Sequence, residues 1–339
     1  MTDLLIERYR ILRQVSNEQP IGRRALAGRL NLSERVLRSQ VDFLKGCGLL
    51  SYSTAGMSVT EEGNEILQEL AEYVRKLQGL SSLEQFLLER LSIKKVIIIP
   101  GDSDREQVVK REIGRAAAHT LVSLLEEDKG HVVAVSGGTT LAAAAQNIRG
   151  NFPDVVIVPA RGGLGDTLEL QANTIATVMA RNLKASYRQL YVPDSVSQEI
   201  LNSILAEDAG IRAVVNTIKH ADILVHGIGR ADVMARHRHL PQPLIDRLLK
   251  EGAVGEAVGQ YSDIKGRQVY MTNNAGLMMH DLPHIGTIIG VAGGKSKAKA
   301  ILAVSRATRQ DILITDEAAA MEVASVLERE EGLDHIPGL

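Results

Sequence analysis

The chain has 339 residues, 45% apolar and 24% charged, with a formal net charge of −2. That is an ordinary globular profile, long enough for two domains, and no polycation. One cysteine, Cys47, excludes an internal disulfide and, without a Cys/His cluster, a structural zinc site; a chain without Trp and with 3% aromatics is poorly equipped to stack on single-stranded nucleic acid.

The start, "MTDLLIERYRILRQ", is charged and helical in pattern, with no apolar signal core. No run approaches about 18 consecutive apolar residues, so a cytoplasmic protein without membrane contact is expected. Leu4, Leu5, Tyr9, Leu12 and Val15 recur at helical spacing and define one apolar face. A second short helix fits "IGRRALAGRLN" after Pro20, and a third fits "SERVLRSQVDFLKGCG", with Ser33 as N-cap and Gly46 and Gly48 as stop signals. "LLSYSTAGMSVTEEG" alternates around a turn at Ala55-Gly56 and reads as a hairpin; a further helix follows, capped by Thr60.

Two short helices and a hairpin in this order have the geometry of a winged helix, which lays its third helix in the major groove. On Ser33–Lys45, Val36, Leu37, Val41 and Leu44 form the expected buried face. Arg35, Arg38 and Ser39 then point outward near the helix start, where arginine can hold guanine with two hydrogen bonds. Arg23, Arg24 and Lys45 are placed for phosphates, and residues 21–45 carry six Lys or Arg against Glu34 and Asp42, a local charge of +4. A solvated helical bundle or a protein-docking winged helix would show the same charges.

"GLSSLEQFLLERLSI" joins the two halves; Leu83, Phe86, Leu87 and Leu91 give it an apolar face to dock on the second domain or on another subunit. The expected division is 1–78 for the DNA-binding domain, 79–93 for a coupling or oligomerisation helix, and 94–339 for an effector domain. From Ile93 the rhythm changes to apolar, β-branched runs: "KVIIIP", "HVVAVS", "DVVIVPA", "QLYVP", "DILVHGIG", "TIIGVAGG" and "DILITDE". Helical stretches separate most of them, which predicts an α/β domain, Rossmann-like, with a parallel sheet buried on both faces.

Ligands in such a sheet bind beyond the carboxyl ends of the strands. Ser136-Gly137-Gly138-Thr139-Thr140 ends one strand and opens an alanine-rich helix, a cradle whose amides and hydroxyls suit a phosphate. "PARGGLG" supplies Arg161, a bidentate donor, and "LELQANTIA" supplies Gln171 and Asn173 for hydroxyls. "HGIGRAD" and "GVAGGKSKAKAI" also fall at strand ends, the latter bringing Lys295, Ser296 and Lys297 to a helix start. No segment matches a Walker loop or a dinucleotide fingerprint, so no nucleotide cofactor is expected. Glu256 and Asp232 are the candidate bases if the pocket isomerises a sugar phosphate, with a hydroxyl-accepting role preferred for Glu256. His226, His237, His239, His280 and His284 follow no metal spacing and are expected at the surface or behind the site, so neither a metal nor a catalytic group is assigned.

The strings "IGRRALAGRLNLSERVLRSQVDFLK", "VSGGTT", "VPARGGLG", "QANTIA", "NTIKHADILVHGIG" and "VAGGKSKAKAI" resemble, in order, the SorC family of bacterial transcriptional repressors. The resemblance covers nearly the whole chain. It implies an effector domain similar to sugar-phosphate isomerases and deaminases that senses without turnover. It also implies fructose-1,6-bisphosphate as signal, glycolytic genes as target, and dimers that pair into tetramers on operator DNA and are weakened by the sugar phosphate. Carried over by position, the phosphate loop falls on Gly137, Gly138, Thr139 and Thr140, the arginine on Arg161, the sugar contacts on Gln171 and Glu256, and the lysine on Lys297. A further family arginine falls among Arg236, His237 and Arg238. The rival expectation is a phosphosugar isomerase or deaminase with an appended winged helix.

Overall fold

Side-chain caps set two of the helix starts in the first part of the chain, at Ser33 and Thr60. The elements there are α1 (Thr2–Glu18), α2 (Arg23–Leu30), α3 (Glu34–Gly46), β1 (Leu50–Ser53), β2 (Gly56–Val59) and α4 (Glu61–Leu77). Ser33 Oγ accepts from the Val36 amide at 3.3 Å and Thr60 Oγ1 from the Gly63 amide at 3.0 Å, each satisfying a donor that a helix leaves open. Asn31, at φ 53°, closes α2 in the left-handed conformation that asparagine tolerates. This computed structural model describes residues 2–127, 131–163, 167–193 and 196–332. The chain divides into two compact units, residues 2–82 and 83–332 among those described. Leu164 and Gly165 of the "PARGGLG" segment, and residues 333–339 of the expected effector domain, lie outside the described residues.

The first unit is a winged helix. Ile11, Leu12, Val15, Leu26, Leu37, Val41, Leu44 and Met57 share one core. Two expectations fail here. Leu4 is 41% exposed, because the buried stripe of α1 runs through Ile11, Leu12 and Val15, two turns further on. Val36 is exposed because the stripe of α3 runs through residues 37, 41 and 44, and one residue is a rotation of about 100° away. The hairpin turns at Thr54-Ala55, one residue before the expected place, because Gly56 already belongs to β2. Gly56 sits at φ 140°, and a Cβ on it would lie 2.8 Å from the Ile21 carbonyl carbon. That close approach lets Ile21 and Met57 exchange both backbone bonds, at 3.0 and 2.8 Å, tying the α1–α2 loop to the wing.

The second unit contains α5 (Leu80–Leu91, from Leu83 on), β3 (Lys95–Ile99), α6 (Gln107–Glu127), β4 (Val132–Val135), α7 (Thr139–Asn147), β5 (Val156–Pro159), α8 (Ala172–Leu183), β6 (Ser186–Tyr187), α9 (Gln198–Glu207) and α10 (Ala209–Lys219). It continues with β7 (Ile223–Gly227), β8 (Gly229–Arg230), α11 (Ala231–His237), α12 (Gln242–Lys250), β9 (Ala253–Ala257), β10 (Gln260–Asp263), β11 (Gln268–Met271), β12 (Thr287–Val291), α13 (Ala298–Ala307), β13 (Ile312–Asp316) and α14 (Glu317–Glu331).

Seven strands form a parallel sheet in the order β3-β13-β12-β7-β4-β5-β6. Val133, Val135, Ile157, Val225, Ile289, Val291 and Ile314 pack with α6, α7 and α8 on one face. The alternate residues Ala134, Leu224, Ile288 and Leu313 are equally buried, which is why the strand sequences are apolar without alternation. The chain runs outward from β4 through β5 to β6, then returns to place β7 on the other side of β4. The sheet reverses direction there, and a crevice opens beyond the two strand ends.

Two features differ from expectation. Gln189–Pro193 is no strand: the Leu190 amide donates to Asn173 Oδ1 at 3.0 Å and the Val192 carbonyl accepts from Gly163 at 3.2 Å, so its backbone groups are taken outside a ladder. A second sheet, β11-β10-β9-β8, antiparallel throughout, was not expected at all. It packs Ala253 and Tyr261 against Ala231, Ala235, Ile245 and Leu248 of α11 and α12.

Leu83 and Leu87 on α5 are fully buried, and Glu84 between them accepts from the Ile98 amide of the edge strand β3 at 2.8 Å. Truncating Leu87 to alanine should therefore cost about 2–5 kcal/mol of stability. Thermal unfolding checks this, and an unchanged midpoint would mean that Leu87 contributes no core contact.

Candidate functional site

In the winged helix, Arg23, Arg24, Arg35, Arg38, Ser39 and Lys45 are all exposed. Arg35, Arg38 and Ser39 lie at helical spacing on one side of α3, opposite the stripe of Leu37, Val41 and Leu44. Arg24 is bound to Glu34 at 3.2 Å, but both side chains remain mostly in water, so the pair is worth little. The Lys45 ammonium stands 5.0 Å from the ring centroid of Tyr52 on β1, which holds it beside the wing. Tyr52 had no role in the sequence reading.

In the second unit, Gly137, Gly138, Thr139, Thr140, Arg161, Gln171, Glu256 and Lys297 all line one cavity of about 450 Å³. It lies at the carboxyl ends of β4 and β7. Ser136 Oγ accepts from the Gly227 amide at 2.9 Å and so joins those two ends. Gly138, at φ 120°, precedes α7, and no side chain caps that helix start. The Gly138 amide donates to the Leu170 carbonyl at 2.9 Å, and a Cβ on Gly137 would lie 2.6 Å from the same oxygen. The chain therefore presses the α7 start against residues 170–172, and glycine is the residue that permits it. Thr139 is exposed at the helix start, whereas Thr140 is buried. A helix start beside a cavity has the polarity that suits an anion.

Glu256 comes from β9 and its carboxylate lies between two arginines. Oε1 accepts from Arg238 Nη2 at 2.8 Å and from the Gly259 amide at 2.7 Å, and lies 3.8 Å from Arg161 Nη1. All three side chains are about 5% exposed, at 4–6%. Arg161 Nη2 donates to Thr272 Oγ1 at 2.8 Å, which orients the guanidinium beneath the β9–β10 turn. That turn, Val258-Gly259, has both residues at positive φ, 49° and 83°. A β-branched residue there costs of order 1–3 kcal/mol. The Gly259 bond to the Glu256 carboxylate is a charged hydrogen bond of similar worth and holds the turn closed. Gly259 itself is required: a Cβ would fall 1.9 Å from Arg161 Nη1.

Of the three residues left open by the resemblance, Arg238 and His237 reach the cavity, while Arg236 turns to the Asp232 carbonyl at 3.2 Å and its carboxylate at 3.5 Å. Arg230, which the sequence reading did not single out, also lines the cavity and binds Asp232 through two bonds of 3.0 and 2.8 Å. Burial works to raise the Asp232 carboxyl, but the Arg230 bonds prevail and hold it below its usual range. Asp232 is therefore engaged by arginine and does not line the cavity. Asn173 likewise serves the fold, bonding both backbone groups of Leu190 at 3.0 Å each.

Lys297 belongs to a loop fastened by acids far away in sequence. Asp316 Oδ2 accepts from the Ser103 and Gly294 amides at 2.8 and 2.6 Å, and Asp104 binds Ser296 through its amide at 2.8 Å and its hydroxyl at 3.1 Å. Burial, reinforced by Lys110, lowers the affinity of Lys297 for its proton despite Asp104 and Asp316. Lys295 points elsewhere, to Glu322 of α14 at 3.3 Å. His226 is fully buried rather than superficial: Nε2 meets Gln310 Oε1 at 2.8 Å, and burial pushes the imidazole toward the neutral form. Among the described residues no cluster of three or more His, Cys, Asp or Glu could hold a metal, and no helix is long and apolar enough to cross a membrane.

Comparison with known proteins agrees with this two-part layout. The family described as "CggR N-terminal DNA binding domain" matches residues 4–74, and the family described as "Putative sugar-binding domain" matches residues 75–325. The chain is 44% identical to the central glycolytic genes regulator of Priestia megaterium (strain DSM 319 / IMG 1521) over 325 residues, 95% of this chain and 94% of that protein. It is 42% identical to the central glycolytic genes regulator of Bacillus subtilis (strain 168) over 328 residues, 95% and 96% of the two chains. Among solved structures, a "putative SorC family transcriptional regulator" from Enterococcus faecalis is 38% identical with a TM-score of 0.66, covering 72% of this chain and 99% of that one. These relatives regulate transcription, and the chain accordingly belongs to the SorC family of transcriptional regulators, in its group of central glycolytic genes regulators.

Proposed function

We propose that this chain represses glycolytic genes from a double-stranded operator and is induced by a sugar phosphate, with fructose-1,6-bisphosphate as the signal. The observation that carries this reading is the charge of the cavity. Arg161, Arg230, Arg238 and Lys297 line it, with Glu256 as the counter-anion of Arg161 and Arg238, beside an uncapped helix start at Thr139. A neutral sugar would leave that positive excess in a poorly hydrated site, and a phosphate would meet it with charge-assisted bonds.

A bisphosphate has two anionic ends. One is assigned to Gly138, Thr139 and Thr140 with Lys297, where the space beside the Gly138 α-carbon is open. The other is assigned to Arg161, with Gln171 and Glu256 on the sugar hydroxyls. On DNA, Arg35, Arg38 and Ser39 read base edges, and Arg23, Arg24 and Lys45 hold phosphates. Residues 79–93 couple the two halves. The regulator works in the cytoplasm as homodimers that pair into tetramers on the operator, and the sugar phosphate weakens that assembly. Operator binding titrated with fructose-1,6-bisphosphate tests the whole reading; DNA affinity that ignores the ligand at every concentration would reject it.

On DNA, Arg38→Ala should cost about 1–3 kcal/mol on the specific site and relax base preference. Lys45→Ala should weaken all duplexes alike and flatten the salt dependence. Binding to specific and random duplexes across a salt series distinguishes the two roles, and equal losses on both duplexes for both variants would remove α3 from base readout.

In the cavity, Thr139→Ala should cost roughly 1.5–3 kcal/mol of ligand affinity through a lost charge-assisted bond. Arg161→Ala should cost more, and should penalise fructose-1,6-bisphosphate more than fructose-6-phosphate. Calorimetry with both sugars provides the measurement. Equal losses for the two ligands in the Arg161 variant would refute the two-ended assignment.

A further inference from the structure

Tyr261 is completely buried, yet its hydroxyl has no hydrogen-bond partner among the described residues. A buried polar group without a partner is costly, and replacement by phenylalanine would fit the same space. The hydroxyl stands in a particular place. Tyr261 on β10 is the direct antiparallel partner of Glu256 on β9, so the two side chains leave the sheet on the same face. The charges of Glu256, Arg238 and Arg161 all act on it, and burial together with the Glu256 carboxylate keeps the phenol protonated far above neutral pH. It is therefore a permanent donor beside the buried ion cluster.

The cluster has a difficulty that this donor resolves. Glu256 is satisfied by Arg238 and the Gly259 amide, and Arg161 lies close by. If the anionic end of a ligand takes the arginines, a carboxylate about 4% exposed loses its principal counter-charge. A buried charge with a partner removed is strongly destabilising. Either the ligand is excluded or the carboxylate gains a second partner within reach.

We propose that Tyr261 is a positioning residue for the effector: its hydroxyl donates to the Glu256 carboxylate when an anionic ligand group takes Arg238 and Arg161. The inference rests on the reading of the cavity as a sugar-phosphate site. The hydroxyl stands without a partner while Arg238 holds Glu256, and the ligand's arrival puts it to use. Tyr261 touches no ligand and acts through Glu256, so it contributes to affinity without lining the cavity. The same transfer relaxes the Gly259 bond that holds Val258 at positive φ, so occupancy of the cavity is passed to the β9–β10 turn.

The test compares the full-length wild-type chain with Tyr261→Phe by thermal unfolding without ligand and by calorimetry with fructose-1,6-bisphosphate. The unliganded variant should melt at or above the wild-type midpoint, while its affinity falls roughly ten-fold, as for a lost hydrogen bond to a charged group. In a Glu256→Ala background the same change should leave affinity within about two-fold, because the two residues act as one unit. A lower unliganded midpoint with unchanged affinity would make the hydroxyl purely structural and overturn the proposal. A ten-fold loss persisting without Glu256 would overturn it too. If the wild-type chain binds no sugar phosphate at all, the reading of the cavity falls first and this inference with it.

Discussion

Three charges under a tenth exposed do not usually sit together in a protein, and the effector half is arranged so that they can. Arg161 is oriented by Thr272, Arg238 ends α11, and Glu256 joins them from β9. Each comes from a different part of the chain, so their meeting depends on the parallel sheet and the small antiparallel sheet being in register with one another. Ion pairs at this depth gain little net stability, since desolvation cancels most of the attraction. Their value here is a concentration of positive charge that water does not dilute. The constraint propagates outward: Gly259 must lack a side chain to cover Arg161, and Val258 must accept a strained conformation to make the turn.

The parallel sheet was legible because burial on both faces erases alternation, so "KVIIIP", "HVVAVS" and "DILITDE" stand out as unbroken apolar runs. The small sheet was not. Its strands "QYSD" and "QVYM" are only four residues long, and in the first Gln260, Ser262 and Asp263 are buried by hydrogen bonding rather than by hydrophobicity. Its turn is Val-Gly, which lacks the Asn-Gly or Asp-Gly signature of such hairpins. Gln189–Pro193 misled in the opposite sense. Leu190 and Val192 are buried and look like strand residues, but a side chain, Asn173, takes the backbone bond that a neighbouring strand would have made.

The cavity was legible residue by residue because its parts fall at strand ends, the one place in this architecture where loops converge. What the sequence withheld was direction. Lys295 and Lys297 are two residues apart, and only the second lines the cavity. Arg236 and Arg238 are equally close, and α11 ends between them, so that Arg236 stays on the helix surface with Asp232 while Arg238 turns inward to Glu256. The acids that fasten the Lys297 loop, Asp104 and Asp316, are separated from each other by more than two hundred residues and carry no local signature. In the winged helix the caps were legible and the wheel was one residue out at Val36, because a single-sequence pattern cannot see where a neighbouring helix crosses.

The strand order has a consequence for synthesis. β3 is the first strand of the parallel sheet to leave the ribosome, but among the described residues its one partner in the sheet is β13, the last. Loop closure over so long a separation is slow, and domains that need only nearby residues fold first. The winged helix, whose described residues end at 82, can therefore fold while the parallel sheet still lacks an edge. For the interval in which the final strand is being made, a nascent chain has its winged helix in place and its cavity unfinished.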